Sequence, residues 1–151
     1  MKLISFAVPC YNSQAYMEKC IDSLLATGDD DIEIIIIDDG STDKTAEIAD
    51  DYELKYPGIV RAVHQTNGGH GKGVNTGLEY ASGEFFKVVD SDDWVDRKAL
   101  ESVLTALRMF ISSDIPLDML ITNYVYEHVQ DGKHHTISYS GIFPENRVFG
   151  W

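Results

Sequence analysis

The 151-residue sequence has little cysteine, little basic charge and no long uninterrupted apolar run. Its two cysteines, Cys10 and Cys20, lack metal-ligand spacing and read as buried reduced thiols of a cytosolic protein. Lysine and arginine total 12 against 25 acidic residues, a formal net charge of −13. No basic stripe exists to neutralise a phosphate backbone, which argues against a nucleic-acid partner, and direct docking on anionic lipid is disfavoured for the same reason. The opening apolar run, residues 3–8, is too short for a signal peptide or a membrane span. No G-x-G-x-x-G follows Val8, and Gly71-Lys72 is followed by Gly73 rather than Ser or Thr, so neither a dinucleotide fingerprint nor a P-loop is present. An acidic protein that handles an anionic ligand needs a metal, a few placed cations or helix N-termini.

What is present is one domain's worth of chain, 44% hydrophobic and 25% charged. Residues 3–8 read as a strand buried on both faces and ended by Pro9, with helix-capping candidates in Tyr11-Asn12-Ser13. Met17, Cys20, Ile21, Leu24 and Leu25 fall on one helical face. Residues 32–37 make a second buried strand. Thr42 or Asp43 is placed to cap a helix whose inner face carries Ile48, Ala49, Tyr52 and Tyr56, and residues 59–64 form a third strand. A glycine-rich loop, residues 67–73, leads to a short helix with Val74, Leu78 and Ala81 inward. Phe85-Phe86-Lys87-Val88-Val89 reads as an interior strand, followed by a helix capped by Asp96 and carrying Leu100, Val103, Leu104, Leu107 and Ile111. Residues 119–124 look strand-like, and Asp131-Gly132 sits at the tip of a hairpin between residues 124–129 and 135–139. Alternating strands and helices imply an α/β fold with a mostly parallel, Rossmann-like sheet and helices on both faces.

Three of these strands run into polar motifs: Pro9-Cys10-Tyr11-Asn12, Asp38-Asp39-Gly40-Ser41-Thr42-Asp43 and Asp90-Ser91-Asp92-Asp93. Ligands of open α/β sheets bind at the carboxyl edge. Clustered carboxylates there suit Mg²⁺ or Mn²⁺, and the cation suits phosphate. Singly each motif has a plainer reading: a solvated acidic turn for residues 90–93, a turn and cap for 38–43, a rim aromatic for Tyr11. Together, in this order, they point to one site.

These residues, with Asn67-Gly68-Gly69 and Asn75-Thr76-Gly77, resemble the family 2 glycosyltransferases of the GT-A nucleotide-sugar-binding fold, over residues 3 to 110. The resemblance implies inverting transfer of a sugar from a UDP-sugar to an acceptor hydroxyl, in glycan or cell-envelope polysaccharide assembly. It implies that Pro9 and Tyr11 flank the uracil, with Asn12 and Ser91 in the same nucleotide-binding motifs. It implies further that Asp39 accepts from the N3–H, that Asp90 lies near the ribose and that Asp92, with Asp90, holds the divalent metal. Many relatives carry an arginine where this chain has Val74. Lys72 either supplies the missing cation to the donor or is a solvated loop lysine. Of the histidines 64, 70, 128, 134 and 135, read as surface or loop residues, only His70 lies inside a motif. A nucleotidyltransferase would want a basic glycine-rich loop after the first strand, which is absent. A non-catalytic nucleotide-binding or interaction module on the same fold is the other alternative.

An inverting transfer needs a carboxylate base. Asp96, Glu101, Asp114, Asp118, Glu127, Asp131 and Glu145 follow the acidic cluster, and none has the setting of a base opposite the donor, although Glu127 stays in play. The expectation is therefore that residues 1–151 are a GT-A donor domain cut before its acceptor-binding segment. The glycan or lipid-linked acceptor would be held elsewhere, and the localisation would be cytoplasmic, with peripheral attachment at the inner membrane face through other segments or partners.

Overall fold

The computed structural model describes residues 2–113, 116–128, 132–139 and 142. One compact unit ends at Met109 and a second begins at Phe110. The first unit carries β1 (Lys2–Cys10), α1 (Met17–Leu25), β2 (Ile32–Asp38), α2 (Thr45–Lys55), β3 (Val60–His64), α3 (His70–Tyr80), β4 (Gly83–Val88) and most of α4 (Arg97–Ile111). Its four strands pair in the order β3-β2-β1-β4, every pair parallel. The second unit holds an antiparallel hairpin, β5 (Tyr124–His128) with β6 (Lys133–Ile137). The expected strand over residues 119–124 begins only at Tyr124, and Asp131 of the expected hairpin tip lies outside the described residues.

The sheet follows from the apolar runs. In β1 every residue after Lys2 is buried, and in β2 only Glu33 is not, so both strands are covered on both faces. Helix α1 buries Met17, Cys20, Ile21 and Leu24, each large apolar side chain contributing roughly 1.5–3 kcal/mol. Pro9 does not end β1 as the sequence suggests; it pairs with Ile37, and Cys10 with Asp38. The β1–β4 ladder has already stopped at Ala7 and Val88, so the missing N–H costs no bond on that side. Nor is β4 interior. It is the edge strand of this sheet among the described residues, with Phe85 and Phe86 only half-buried.

A polar knot pins that edge strand. Ser5 Oγ donates to Glu33 Oε2 at 2.6 Å and accepts from Gly83 N at 2.8 Å, while Ser82 donates to Glu33 from both N and Oγ. Burial raises the Glu33 carboxyl, but these bonds from Ser5 and Ser82 outweigh it and hold the group below its ordinary range. A Cβ on Gly83 would lie 2.6 Å from Ser5 N, so no other residue fits where β4 starts.

Helix α3 departs most from its sequence pattern. It begins inside the glycine-rich stretch, at His70, and its buried residues are Gly73 and Gly77, whereas Leu78 is exposed. The reason is distance: a Cβ on Gly77 would sit 2.5 Å from Ala7 Cβ, and one on Gly73 would sit 3.2 Å from Pro9 Cβ. Helix and central strand approach as only hydrogen side chains permit. Gly77→Val should therefore lower the melting temperature, because over-packing costs roughly 1–3 kcal/mol and Val is also a poorer helix former than Ala. Gly71, with nothing within 4 Å of its Cβ position, is the control. Gly71→Ala should be neutral or stabilising by up to about 1 kcal/mol. Equal losses in the two variants, by thermal denaturation, would remove the close-packing explanation.

Candidate functional site

The chain passes from β1 outward to β2 and β3, then returns across β1 to β4, so the strand order reverses between β1 and β4. At such a point the carboxyl ends of adjacent strands part and leave a crevice. Here a cleft of about 290 Å³ is lined by Pro9, Cys10, Tyr11, Ser13, Asp39, His70, Asp90, Ser91 and Asp92. Of the residues singled out in the sequence, Pro9, Tyr11, Asp39, Asp90, Ser91 and Asp92 are brought together. Asn12 and Lys72 are not on its wall.

The loop after β1 is held by side chains from two directions. Ser13 Oγ and Ser91 Oγ share a 2.8 Å hydrogen bond, Tyr11 N donates to Ser13 Oγ, and Ser13 N donates to Thr45 Oγ1. This ties the β1 motif to the β4 motif and to the start of α2. Asn12 adopts φ 51°, in the left-handed region that asparagine tolerates. Its Oδ1 accepts from Thr42 N at 2.9 Å, and its own N donates to Ser41 Oγ. Instead of capping α1, Asn12 fastens the β1 loop to the β2 loop. Tyr11 is left 55% exposed on the cleft.

Asp39 is the most heavily bonded group of the cleft. Buried at 4% exposure, its Oδ1 accepts from Gln65 Nε2 at 2.6 Å and from Gly68 N at 2.9 Å, and its Oδ2 from Gly69 N at 2.8 Å. Gly69, at φ 83°, is the cap of α3, so the carboxylate also sits at the positive end of that helix. Burial pushes the Asp39 carboxyl up. The bonds from Gln65, Gly68 and Gly69, with the nearby charge of Lys72, more than compensate and hold it below the usual carboxylate range. An ionised carboxylate offers about four acceptor positions. Three are filled by groups among the described residues, which leave one position on Oδ2 without a bond. Sequence reasoning missed Gln65, because nothing local marks a glutamine whose partner lies 26 residues away.

Lys72 donates to Thr66 O at 3.0 Å, with its stem folded over Gly68. His70 Nε2 is 2.8 Å from Asp90 Oδ1, so the histidine inside the glycine-rich stretch does reach the acidic cluster. The backbone of that cluster leans on α1: Cys20 Sγ contacts Asp90 O at 3.6 Å, Ser23 Oγ accepts from Val95 N, and Lys19 Nζ lies over the Trp94 ring. Burial pushes the thiols of Cys10 and Cys20 up to about 12, which leaves them inert packing groups. The Asp93 carboxyl is raised by burial and then by the like charges of Asp92 and Asp90, a direct sign of repulsion in the cluster.

Among the described residues no group of three or more His, Cys, Asp or Glu is arranged to hold a metal ion. Mg²⁺ and Mn²⁺ do not require one, since they are commonly held by one or two carboxylates and completed by substrate phosphates and water. Asp90 and Asp92, both exposed on the cleft, supply hard oxygens of that kind. Two such carboxylates on one cleft are compatible with a divalent ion, although Asp90 Oδ1 is here held by His70 Nε2.

This strand order, with its cleft at the point of reversal, is that of an α/β nucleotide-sugar domain of GT-A type. The family model for Glycosyl transferase family 2 matches residues 5–109, and the chain belongs to that family. It is 46% identical over 93 residues to the uncharacterized glycosyltransferase EpsJ of Bacillus subtilis (strain 168), covering 62% of this chain and 27% of EpsJ. It is 36% identical over 135 residues to the glycosyltransferase GlyG of Streptococcus pneumoniae serotype 4, covering 89% of this chain and 43% of GlyG. The chain thus spans less than half the length of these relatives. Among solved structures, S. aureus TarS 1–349 in complex with UDP superposes with a TM-score of 0.65 at 29% identity, covering 82% of this chain and 40% of TarS. The mannosyltransferase PcManGT from Pyrobaculum calidifontis, in complex with GDP-Man and Mn²⁺, gives 0.59 at 25% identity, covering 74% and 32%.

Behind Asp39 lies a second assembly that the sequence reading set aside as a surface histidine. His64 Nδ1 is 3.1 Å from Asp38 Oδ2, and its Nε2 is 2.9 Å from Asp50 Oδ1. Asp38 also accepts from Ser41 N. The Asp50 bond raises the His64 pKa, burial opposes it, and Asp38 raises it further. Only the protonated ring donates to both carboxylates. Because the folded-state value is the higher one, the stabilisation is complete below the unfolded pKa and fades as pH rises through the folded one. Melting curves of the parent and His64→Gln between about pH 5.5 and about pH 8.5 should show the parent's advantage largest at the acid end and shrinking upward. An advantage that grows with pH would contradict this sign.

Proposed function

We propose that the chain is the donor-binding part of an inverting, metal-dependent glycosyltransferase that takes its sugar from a UDP-sugar. The observation that carries this reading is the convergence of Pro9, Tyr11, Asp39, Asp90, Ser91 and Asp92 on one cleft at the strand reversal. UDP in the TarS structure and GDP-Man with Mn²⁺ in PcManGT support it. In this reading the uracil lies between Pro9 and the exposed ring of Tyr11, which offers a stacking face. The open acceptor position of Asp39 takes the N3–H. Asn12 keeps the loop that carries Asp39 in place, Ser91 and Asp90 meet the ribose side, and Lys72 exchanges Thr66 O for donor phosphate.

Asp92, with Asp90, would hold the divalent ion. When bound, the ion offsets the charge of the diphosphate in an acidic protein and stabilises its departure as leaving group. The carboxylate that takes the acceptor's proton we assign to chain outside residues 1–151, consistent with the larger size of EpsJ and GlyG. A glycan or lipid-linked acceptor in cell-envelope polysaccharide assembly belongs to the same proposal, as does action on the cytoplasmic side. No helix among the described residues is long and apolar enough to cross a membrane.

Calorimetric titration with UDP, with and without Mn²⁺, tests the core of this. Binding should strengthen with Mn²⁺, and Asp92→Asn should lose the metal-dependent part. Without metal the variant's melting temperature should stay level or rise, because Asp92 is one of the repelling charges around Asp93. UDP binding by Asp92→Asn that keeps the parent's Mn²⁺ dependence removes Asp92 from the metal site.

Asp39→Ala should weaken UDP by roughly 1.5–3 kcal/mol, the scale of a hydrogen bond to a charged group. It should also blur the preference for uracil over cytosine. The structure adds a second expected loss for this variant, in stability, since Gln65 Nε2, Gly68 N and Gly69 N are left without their acceptor.

A further inference from the structure

We propose that Gln65 and Thr76 form a positioning relay that orients Asp39 and so sets the nucleobase preference of the cleft, an inference that rests on the uracil reading of Asp39 given above. The geometry is a chain of short hydrogen bonds. Thr76 Oγ1 is 2.6 Å from Gln65 Oε1, and Gln65 Nε2 is 2.6 Å from Asp39 Oδ1. Direction along this chain is fixed by charge. An ionised carboxylate only accepts, so the amide must face it with nitrogen; the amide oxygen then faces Thr76, whose hydroxyl must donate. Gln65 N donates to Asp38 O at 3.0 Å, which anchors the glutamine backbone to the end of β2. Thr76 stands on α3, the helix locked against β1 through Gly73 and Gly77. The relay thus ties the orientation of a loop carboxylate to a helix whose approach to β1 is set by glycine contacts.

The consequence for recognition is specific. Gln65 and Gly68 occupy Oδ1 and Gly69 occupies one position of Oδ2, leaving a single open acceptor. An acceptor-only group favours a base that presents a ring N–H, as uracil does at N3, and repels one that presents a lone pair there, as cytosine does. Removing Gln65 has two effects. It leaves Oδ1 held by Gly68 N alone, and it deletes one of the bonds that keep the carboxyl ionised, leaving Gly68 N, Gly69 N and the nearby charge of Lys72 to do so. A protonated Asp39 donates, and a donor suits cytosine.

The test compares UDP and CDP by calorimetric titration, with Mn²⁺ present, on the parent and three variants. Gln65→Met keeps the volume and removes the amide; it should reduce the UDP-over-CDP ratio about tenfold, the scale of one hydrogen bond to a charged group. Thr76→Val should reduce it about threefold through the neutral bond one step back, and Thr76→Ser should rescue it. In Gln65→Met, CDP binding should also emerge at a higher pH than in the parent, a change that simple loosening of the fold does not produce. If Gln65→Met fails to fold, Thr76→Val against Thr76→Ser decides the matter alone. A parent that prefers UDP, with variants that keep its ratio and its pH profile, overturns the relay and leaves the uracil reading standing. A parent with no preference between UDP and CDP overturns the uracil reading, and the relay with it.

Discussion

The first unit is organised around a buried carboxylate at the end of a buried strand. β2 runs through four consecutive isoleucines and delivers Asp39 at 4% exposure. A charge there costs several kcal/mol unless it is hydrogen-bonded. The loop between β3 and α3 meets that requirement with one side-chain amide and two backbone N–H groups. Both backbone donors are ordinary main-chain N–H groups, and the positive φ of Gly69 turns the chain that carries them into α3. Gly40, at φ 71°, lies within 2.9 Å of Asn67 N by its Cβ position, so the β2 loop and the glycine-rich loop pack backbone to backbone. Loop shape, helix start and the charge of the site are thus consequences of one desolvated group.

The second constraint is the narrow gap between α3 and β1. Gly73 and Gly77 stand one helical turn apart on the same face and meet Pro9 and Ala7. Pro9 is therefore both a wall of the cleft and part of the floor on which α3 rests. Site and core share residues here, so the cleft cannot be remodelled without disturbing helix packing.

What could be read from the sequence divides along physical lines. β1 and β2 were legible because continuous apolar runs bury on both faces, and α1 and α4 were legible because Met17, Cys20, Ile21 and Leu24, or Leu100, Leu104 and Leu107, repeat with helical period. The inner face of α3 was not, since periodicity counts apolar side chains and this face has none. The place of β4 at the edge was hidden for a different reason: Phe85 and Phe86 look like interior residues, and strand order is a property of long-range pairing. The cleft residues were legible as motifs at strand ends, whereas Gln65, Thr76 and the His64 bridge act only through partners distant in sequence. Of the helix-capping candidates in residues 11–13, Asn12 uses its side chain to join two loops.

The central position of β1 also gives its two pairings different chain-closure costs. Ile4 pairs with Ile32 on one side and with Phe85 on the other. Closing the longer of these two loops costs about 1 kcal/mol more chain entropy than closing the shorter. The β1-β2-β3 half can form as soon as its residues exist, but β4 has to be delivered across the whole of α2, β3 and α3. Its start is held by the Ser5–Glu33 knot at Ser82 and Gly83. The acidic loop that follows β4 is fastened to Ser13 and Cys20 through Ser91 Oγ and Asp90 O, and amide exchange in β4 reports how often that attachment opens.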